Sequence, residues 1–442
     1  MPFDLKLDKE LKDDAEIPGT AGCVLARELI YNIPNINILV LEAGPPNTQV
    51  NDIMRSPCGF PSVHRTSETD WGYSTEDQKM PSIVDPTKEV LNKGFPYARA
   101  KVIGGCSTVN AMVYIRGQKA DYDLWAAQGH EYKIWDYEHC LEAFKAVENN
   151  SRKSPDEEFK KYHGFNGLLN VQDSSNDNYD ILKDIYKIAN NLGIPFNNDF
   201  NGVRQNGLGE HQCTMKDGKR FSLADGSPHG LSDDAAKFVA VNGEVIICGG
   251  AINSAQILML SGIGPKNNLE ENNIKVRKEL PVGRNLLEHP ACCVTAKVSV
   301  PNSNINGKVP SQKHFLDERP NIQFYANTIP LGPPLIEPGK LKFLLCYLFL
   351  IFHQVLKLSR EILKQPPLST VWGVKEVGFD IDKEMSDEDW NNIFVKCLWN
   401  QNLRVVDASI FPTIPAGNLN APTAMVAWKA SRLIKEDYKN KV

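Results

Sequence analysis

The sequence predicts an α/β fold built around a parallel sheet, because short apolar β-branched runs alternate with helical stretches and glycine pairs mark a junction. Thr20 to Ile30 reads as a helix. Ile36 to Glu42 (INILVLE) reads as a buried strand, being short, apolar and β-branched. Glu244 to Cys248 (EVIIC) reads as another, running into Gly249-Gly250 and a helical stretch from Asn253 to Leu260. Val405 to Asp407 is a third short apolar run, entering a Pro-rich turn. Asp173 to Leu192 is amphipathic and reads as a helix. After Val294 the pattern is broken by Pro, Asn and Lys, and the chain carries no internal repeat or low-complexity linker.

Composition narrows the class. A chain of 442 residues favours two or three domains, and 42% apolar with 23% charged residues is a soluble globular balance. A net charge of −5 and the lack of a concentrated basic face argue against nucleic acid as a partner. Asn267 to Lys278 mixes both signs and reads as solvated surface. Ten cysteines show no metal-like spacing, so no metal is expected, and Cys23 and Cys248 in apolar runs read as buried thiols. Met1 to Glu16 is mostly charged and shows no secretory signal. Phe343 to Phe352 (FLLCYLFLIF) is membrane-like in composition, but ten residues fall short of the roughly 20 that span a bilayer. A buried helix is the favoured reading of that run, and no firm membrane signal remains.

The first informative motif is Gly19-Thr20-Ala21-Gly22, opening a helix, with Glu42 at the end of a strand twenty residues later. In a Rossmann-like dinucleotide fold, glycines let backbone N–H groups approach a pyrophosphate, and the acidic residue holds ribose hydroxyls. Ile17 stands where the first glycine belongs, with Pro18 beside it, and Asp4 to Glu16 is charged where a buried first strand is needed. Taken alone, the motif fits a tight turn as well as a nucleotide cradle.

Later segments decide between those readings. Gly22 to Gly44 resembles the FAD-binding start of the glucose–methanol–choline (GMC) oxidoreductases, especially the insect glucose-dehydrogenase-like members. Asp70-Trp71-Gly72-Tyr73 follows, and then Arg99 to Met112 (RAKVIGGCSTVNAM) and on to Arg116-Gly117 is similar to the first family signature. Asp121-Tyr122-Asp123 and Trp125 complete it. Gly250 to Gln256 and Ser261 to Pro265 resemble the second signature, with Ala255 in place of the usual proline. Pro281 to Leu286 and His289 follow, with Glu288 replacing the usual Asp, and Leu403 to Pro422 (LRVVDASIFPTIPAGNLNAP) is similar to the C-terminal block. The order is preserved across most of the chain.

The resemblance implies an FAD-binding Rossmann-like parallel-sheet domain with an α+β substrate domain, both incomplete. Residues 1–295 would form the N-terminal FAD-binding region and 296–442 the C-terminal region, with 403–442 returning to the FAD domain. Gly19, Thr20, Gly22 and Glu42 would hold the nucleotide. Cys106, Asn110, Ala111 and Val113 match positions lining the FAD, small because bulk there would displace the ring system. Asp407, Ala408, Asn418 and Leu419 match the other side of the flavin. The implied chemistry is hydride transfer from an alcohol or sugar carbon to the flavin, with a quinone or another electron acceptor downstream, and secretion is compatible with the family. Asn418 falls on the second of two catalytic positions and would orient the substrate oxygen.

The first catalytic position is missing. The family carries a His-Pro-x-Gly-Thr-Cys block before the Leu-Arg-Val-Val-Asp-Ala-Ser strand, whereas here Trp399-Asn400-Gln401-Asn402 joins directly to Leu403 and no histidine follows His353. The step needs a proton acceptor near neutral pKa, which neither Asn418 nor Asn420 provides. His289 reads as structural, and His64, His130, His163 and His229 read as surface residues. Strands are also missing between Phe221-Ser222 and Lys237-Phe238, and between Thr328 and Asp387. Whole blocks lost between intact flanks fit a shortened enzyme. Drift into a non-catalytic binding or structural protein, the other reading, would scatter substitutions through the motifs.

Overall fold

In the computed structural model the described residues are 19–45, 52–57, 68–81, 89–92, 94, 96–174, 186, 195–205, 209–226, 244–289, 293–295, 344–346 and 403–441. Ile17, Pro18, the charged stretch before them, His64, His229, Lys237-Phe238 and Trp399 to Asn402 lie outside these residues. The helices that frame the molecule are α1 (Thr20–Asn32), α2 (Lys119–Ala126), α3 (Tyr137–Val147), α4 (Glu157–Tyr162), α5 (Gly250–Leu260) and α6 (Asn420–Lys441). The strands that concern the site are β1 (Val113–Tyr114), β2 (Glu148–Asn150), β3 (Leu169–Asp173), β4 (Gln212–Cys213), β5 (Val245–Ile247) and β6 (Leu403–Val405).

Helix starts follow local side-chain chemistry. Asp136 accepts the His139 backbone N–H at 3.0 Å to cap α3, and Asp156 accepts that of Phe159 at 2.8 Å to cap α4. At α2 the Gln118 N–H donates to the Asp121 carboxylate at 2.7 Å, one arm of a reciprocal cap. In α6 Pro422 falls in the first turn, where its missing N–H has no intrahelical partner to lose.

The core is helical. Ala421, Ala424, Ala427 and Ala430 recur every third residue along α6 and are all buried, giving one face with little side-chain bulk. Met425, Val426 and Ile434 of α6 share the core cluster with Cys23, Val24, Leu25 and Leu29 of α1. A polar clamp closes the same contact: Arg432 donates to Asn32 Oδ1 at 2.7 Å and to Glu28 at 3.2 Å. Trp125 of α2 and Phe144 of α3 each meet Tyr122 edge-on, with centroids 5.2 and 5.6 Å away.

The parallel expectation holds for β5 and β6, which pair in register from Val245 with Leu403 to Ile247 with Val405. A second sheet is mixed, in the order β1-β4-β3-β2, parallel only between β2 and β3. Ile36 to Glu42 is not a strand. Val40 is buried there, but Leu39 and Leu41 are exposed, and among the described residues nothing pairs with the segment. An apolar run supplies a face, but a strand also needs a neighbouring ladder. The amphipathic stretch from Asp173 is corrected at its start, since Asp173 ends β3; beyond Ser174, only Tyr186 of it is described. The Phe343–Phe352 run is corrected too: Leu344–Cys346 is a strand antiparallel to Cys293–Thr295, and the rest lies outside the described residues. No described helix is long and apolar enough to cross a membrane.

His163 is also corrected. It is buried, not on the surface, and its ring joins a charged network beneath the mixed sheet. Glu148 pairs with Arg116, both fully enclosed, and accepts from His163 Nδ1 at 2.8 Å and from Asn150 at 2.8 Å. His163 Nε2 lies 3.2 Å from both Asp199 carboxylate oxygens, and the ring stacks on Phe159 at 3.7 Å. Burial favours the neutral acid, but Arg116 and His163 outweigh it and hold the Glu148 carboxyl below its ordinary value. Asp199 is held low in the same way, His163 outweighing burial. His130, by contrast, is exposed as expected.

Candidate active site

The N-terminus of α1 is tied to the glycine turn of the first signature. Gly19 carries no capping side chain, so the first N–H groups of α1 point outward with the positive end of the helix dipole. Thr20 Oγ1 donates to the Gly104 carbonyl at 3.2 Å and accepts the Ser107 N–H at 3.2 Å. Gly104 and Gly105 both take positive φ, at 87° and 55°. A Cβ on Gly105 would lie 2.8 Å from Gly19 Cα, so only glycine lets the two backbones approach this closely. Gly22 is buried one turn into α1.

Glu42 sits at the edge of this region. Its carboxylate turns back to accept the N–H groups of Ala43 and Gly44, each at 3.0 Å. The following residues run beside the turn, with the Ile103 N–H donating to the Pro45 carbonyl at 3.2 Å.

Within the signature, Cys106 is exposed, Asn110 and Ala111 are half-buried, and Val113 is buried in β1. Tyr97 lies nearby. Burial and donation to Glu288 at 2.6 Å push its pKa up to about 12, so it keeps its proton.

The Asn418 loop is held at four successive points. Trp125 Nε1 donates to Thr413 Oγ1 at 2.9 Å. His289 Nε2 lies 2.9 Å from the Pro415 carbonyl, which can only accept, so that nitrogen carries its proton. The Ala416 N–H donates to Asp121 at 2.8 Å. Gly417 packs so closely on Ile115 that a Cβ would stand 2.6 Å from its Cγ2. Asp121, Trp125 and His289, all in the resemblance, thus seat the loop against the strand that follows Asn110.

Asp407 is fully buried and its carboxylate is committed internally. It accepts from Gly250 N at 2.8 Å, Ser254 Oγ at 2.5 Å and Ser409 N at 2.8 Å, joining β6 to the start of α5. Any outward contact here comes from the backbone or from half-buried Ala408. The Leu419 carbonyl accepts the Thr423 N–H at 3.0 Å.

Two observations bear on whether a flavin dinucleotide fits. The glycine cradle at Gly19 and Gly105 is closed to any side chain, and the free helix end behind it suits a diphosphate. In the C-terminal loop, Asn418 Oδ1 and both polar atoms of the Asn420 amide are buried without a partner. Each such atom costs about 1–3 kcal/mol, which a bound polar ring would relieve. The residues present fit the group.

A hollow of about 330 Å³ lies elsewhere, lined by Arg152, Asp156, Phe159, Tyr162, Phe196 and Asp199 among others. Several of its charged groups are already engaged. Arg152 donates to Asp173 at 2.6 to 2.9 Å, Asp199 faces His163 and Asp156 caps α4. It shares none of the candidate residues.

Sequence reasoning missed Arg220, which lies behind Asn110. It reads from the sequence as one charge among several, and only its burial distinguishes it.

Comparison with known proteins gives the family and the fold. The N-terminal model of the GMC oxidoreductases matches residues 19–227 and 227–291, and the C-terminal model matches 392–427. The alcohol dehydrogenase [acceptor] of Pseudomonas putida is 28% identical, covering 94% of each chain. The mitochondrial choline dehydrogenase of Mus musculus is 28% identical over 94% of this chain and 88% of its own. The first alignment runs over 539 positions, more than the 442 residues here, so the relative carries stretches that this chain lacks. Among solved structures, formate oxidase of Aspergillus oryzae RIB40 superimposes with a TM-score of 0.66 at 19% identity, covering 97% of this chain and 99% of its own. Pyridoxine 4-oxidase from Mesorbium loti gives 0.60 at 20% identity, over 95% and 99%. These likenesses concern the fold. With the two family models matching most of the described residues and the glycine cradle in place, the chain belongs to the GMC oxidoreductases, a family of FAD-dependent flavoproteins.

Proposed function

We propose that the chain is an FAD-dependent oxidoreductase for the CH–OH group of a small alcohol or sugar, of the glucose-dehydrogenase type, shortened until turnover is slow or lost. One observation carries the reading: the α1 N-terminus, the Gly104–Thr108 turn and the loop of unpartnered Asn418 and Asn420 belong to one connected framework. The names of the Pseudomonas and mouse relatives support an alcohol donor. Residues 1–295 would make the cofactor region and 296–442 the remainder, with the last segment returning.

In this reading Gly19, Thr20 and Gly22 bind the diphosphate through backbone N–H groups, and Glu42 turns to the ribose. Cys106, Asn110, Ala111 and Val113 line one side of the ring system, and Asp407, Ala408 and Leu419 the other. When bound, FAD supplies the hydride acceptor for the alcohol carbon, and a quinone or another acceptor takes the electrons onward. Asn418 holds the substrate oxygen by hydrogen bonding. None of Asn418, His289 and Tyr97 is available to take the hydroxyl proton. An amide cannot, His289 Nε2 is committed to Pro415, and Tyr97 keeps its own proton.

The test is flavin retention followed by turnover. FAD is expected to leave on dialysis, reflecting Ile17 at the first glycine position, and to return on titration. Reduction of an artificial dye with glucose or simple alcohols in excess FAD should fall roughly 100- to 10,000-fold below that of complete relatives. Brisk reduction would show that another group serves as base. Failure to take up FAD at any concentration would favour a binding or structural protein.

A further inference from the structure

We propose that Arg220 is a positioning residue that fixes which way the Asn110 amide faces, so that Asn110 meets the cofactor as a hydrogen-bond donor. The inference rests on the flavin site proposed above.

Arg220 is 5% exposed and can only donate. Its Nε donates to the Met54 carbonyl at 2.7 Å, and its Nη1 donates to Asn110 Oδ1 at 2.8 Å and to the Ser107 carbonyl at 3.3 Å. The Met112 N–H donates to the same Asn110 oxygen at 2.9 Å. An amide reads the same by shape in either orientation, and its partners decide between them. Two donors converge on one atom, so that atom is oxygen. Both its acceptor positions are taken, and the NH2 group is what Asn110 has left to offer.

The surroundings show that Arg220 is placed for more than its own stability. Among the described residues no carboxylate lies within ion-pair distance of it. Asp225 instead accepts from Ser222 N at 2.8 Å and Ser222 Oγ at 2.7 Å. Arg220 Nη2 is buried with no partner at all. Burial pulls its pKa down to about 10, so it is still charged at neutral pH. Asp225 attracts the cation without pairing with it, so most of the cost of burying the charge remains, and a methionine would fill the space without that cost. What the guanidinium adds is a directed donor pair on Asn110 and Ser107, at the back of the turn whose front is tied to α1.

A double-mutant cycle on FAD binding tests the inference. FAD affinity would be measured by fluorescence titration, and the midpoint potential of the bound flavin by dye equilibration, for the unaltered chain, R220M, N110S and the double variant. R220M and N110S should each weaken FAD binding about tenfold, and the double variant no more than either, because Arg220 acts through Asn110. R220K keeps the charge without the planar fork and should recover only part of the loss. It replaces R220M if that variant does not fold. The flavin potential should move in the same direction in R220M and N110S. Additive losses, or R220M binding like the unaltered chain, would overturn this inference and leave the flavin site standing. No FAD uptake by the unaltered chain would overturn both.

Discussion

Removing the Glu148 carboxylate while leaving Arg116 in place strands a buried cation. Both side chains have 0% exposure, so water cannot replace the lost partner. Breaking a buried pair from one side typically costs about 3–5 kcal/mol. Arg116 would keep Tyr162 O at 2.6 Å and Tyr114 OH at 3.3 Å, which places Glu148→Ala near the lower limit, at about 3 kcal/mol. The same change releases His163, the Asn150 amide and the Gly164 N–H, which donates to Glu148 at 3.1 Å. For a chain of 442 residues the unfolding entropy makes this about 1 °C per kcal/mol, so the melting temperature should fall by roughly 3 °C. Far-UV circular dichroism during heating, with urea unfolding as a second measure, reads the loss. Replacing both partners by apolar residues, as in R116M/E148L, should restore most of it, because no uncompensated charge then remains. A Glu148→Ala protein within about 1 kcal/mol of the original would refute the reasoning, as would a double variant no better than the single.

The same network predicts acid sensitivity. Glu148 and Asp199 are held below their ordinary values, so their contribution is complete above the unfolded values of about 4.3 and 3.9 and fades as pH falls through the folded ones. Urea midpoints should therefore hold from pH 7 to about 5 and drop steeply below about 4, less so in D199N; a flat profile to pH 3 would contradict this. At the cradle, Gly105→Ala forces a Cβ to 2.8 Å from Gly19 Cα and 3.1 Å from Thr20 N at φ 55°, and should cost about 2 kcal/mol and weaken FAD uptake. Gly218→Ala is its control. φ is 74° there but nothing lies within 4 Å, so only the backbone cost of about 1 kcal/mol is expected, and equal urea stabilities for the two variants would contradict the steric argument.

The sequence carried the site in proportion to how local each part is. Gly249-Gly250, the helix after them and the β5 strand before them were legible because their pattern is complete within fifteen residues. Asp121 and Trp125 were legible as members of a signature, but their task of seating the Thr413–Gly417 loop was not, since it spans nearly three hundred residues. Ile36 to Glu42 misled because an apolar run reports burial on a face and says nothing about a ladder neighbour. His163 and Arg220 were illegible for a related reason. Polar residues read as surface unless partners are known, and theirs come from separate segments of the chain.

The alanine face that joins α6 to α1 has a consequence for biosynthesis. Asn32 and its partner Arg432 stand 400 residues apart in the chain. At about 5–20 residues per second, a ribosome delivers the second roughly 20–80 s after the first. For that interval the first helix lacks the α6 face it packs against in the folded chain, and only earlier core residues such as Tyr122 and Phe144 can cover its apolar side.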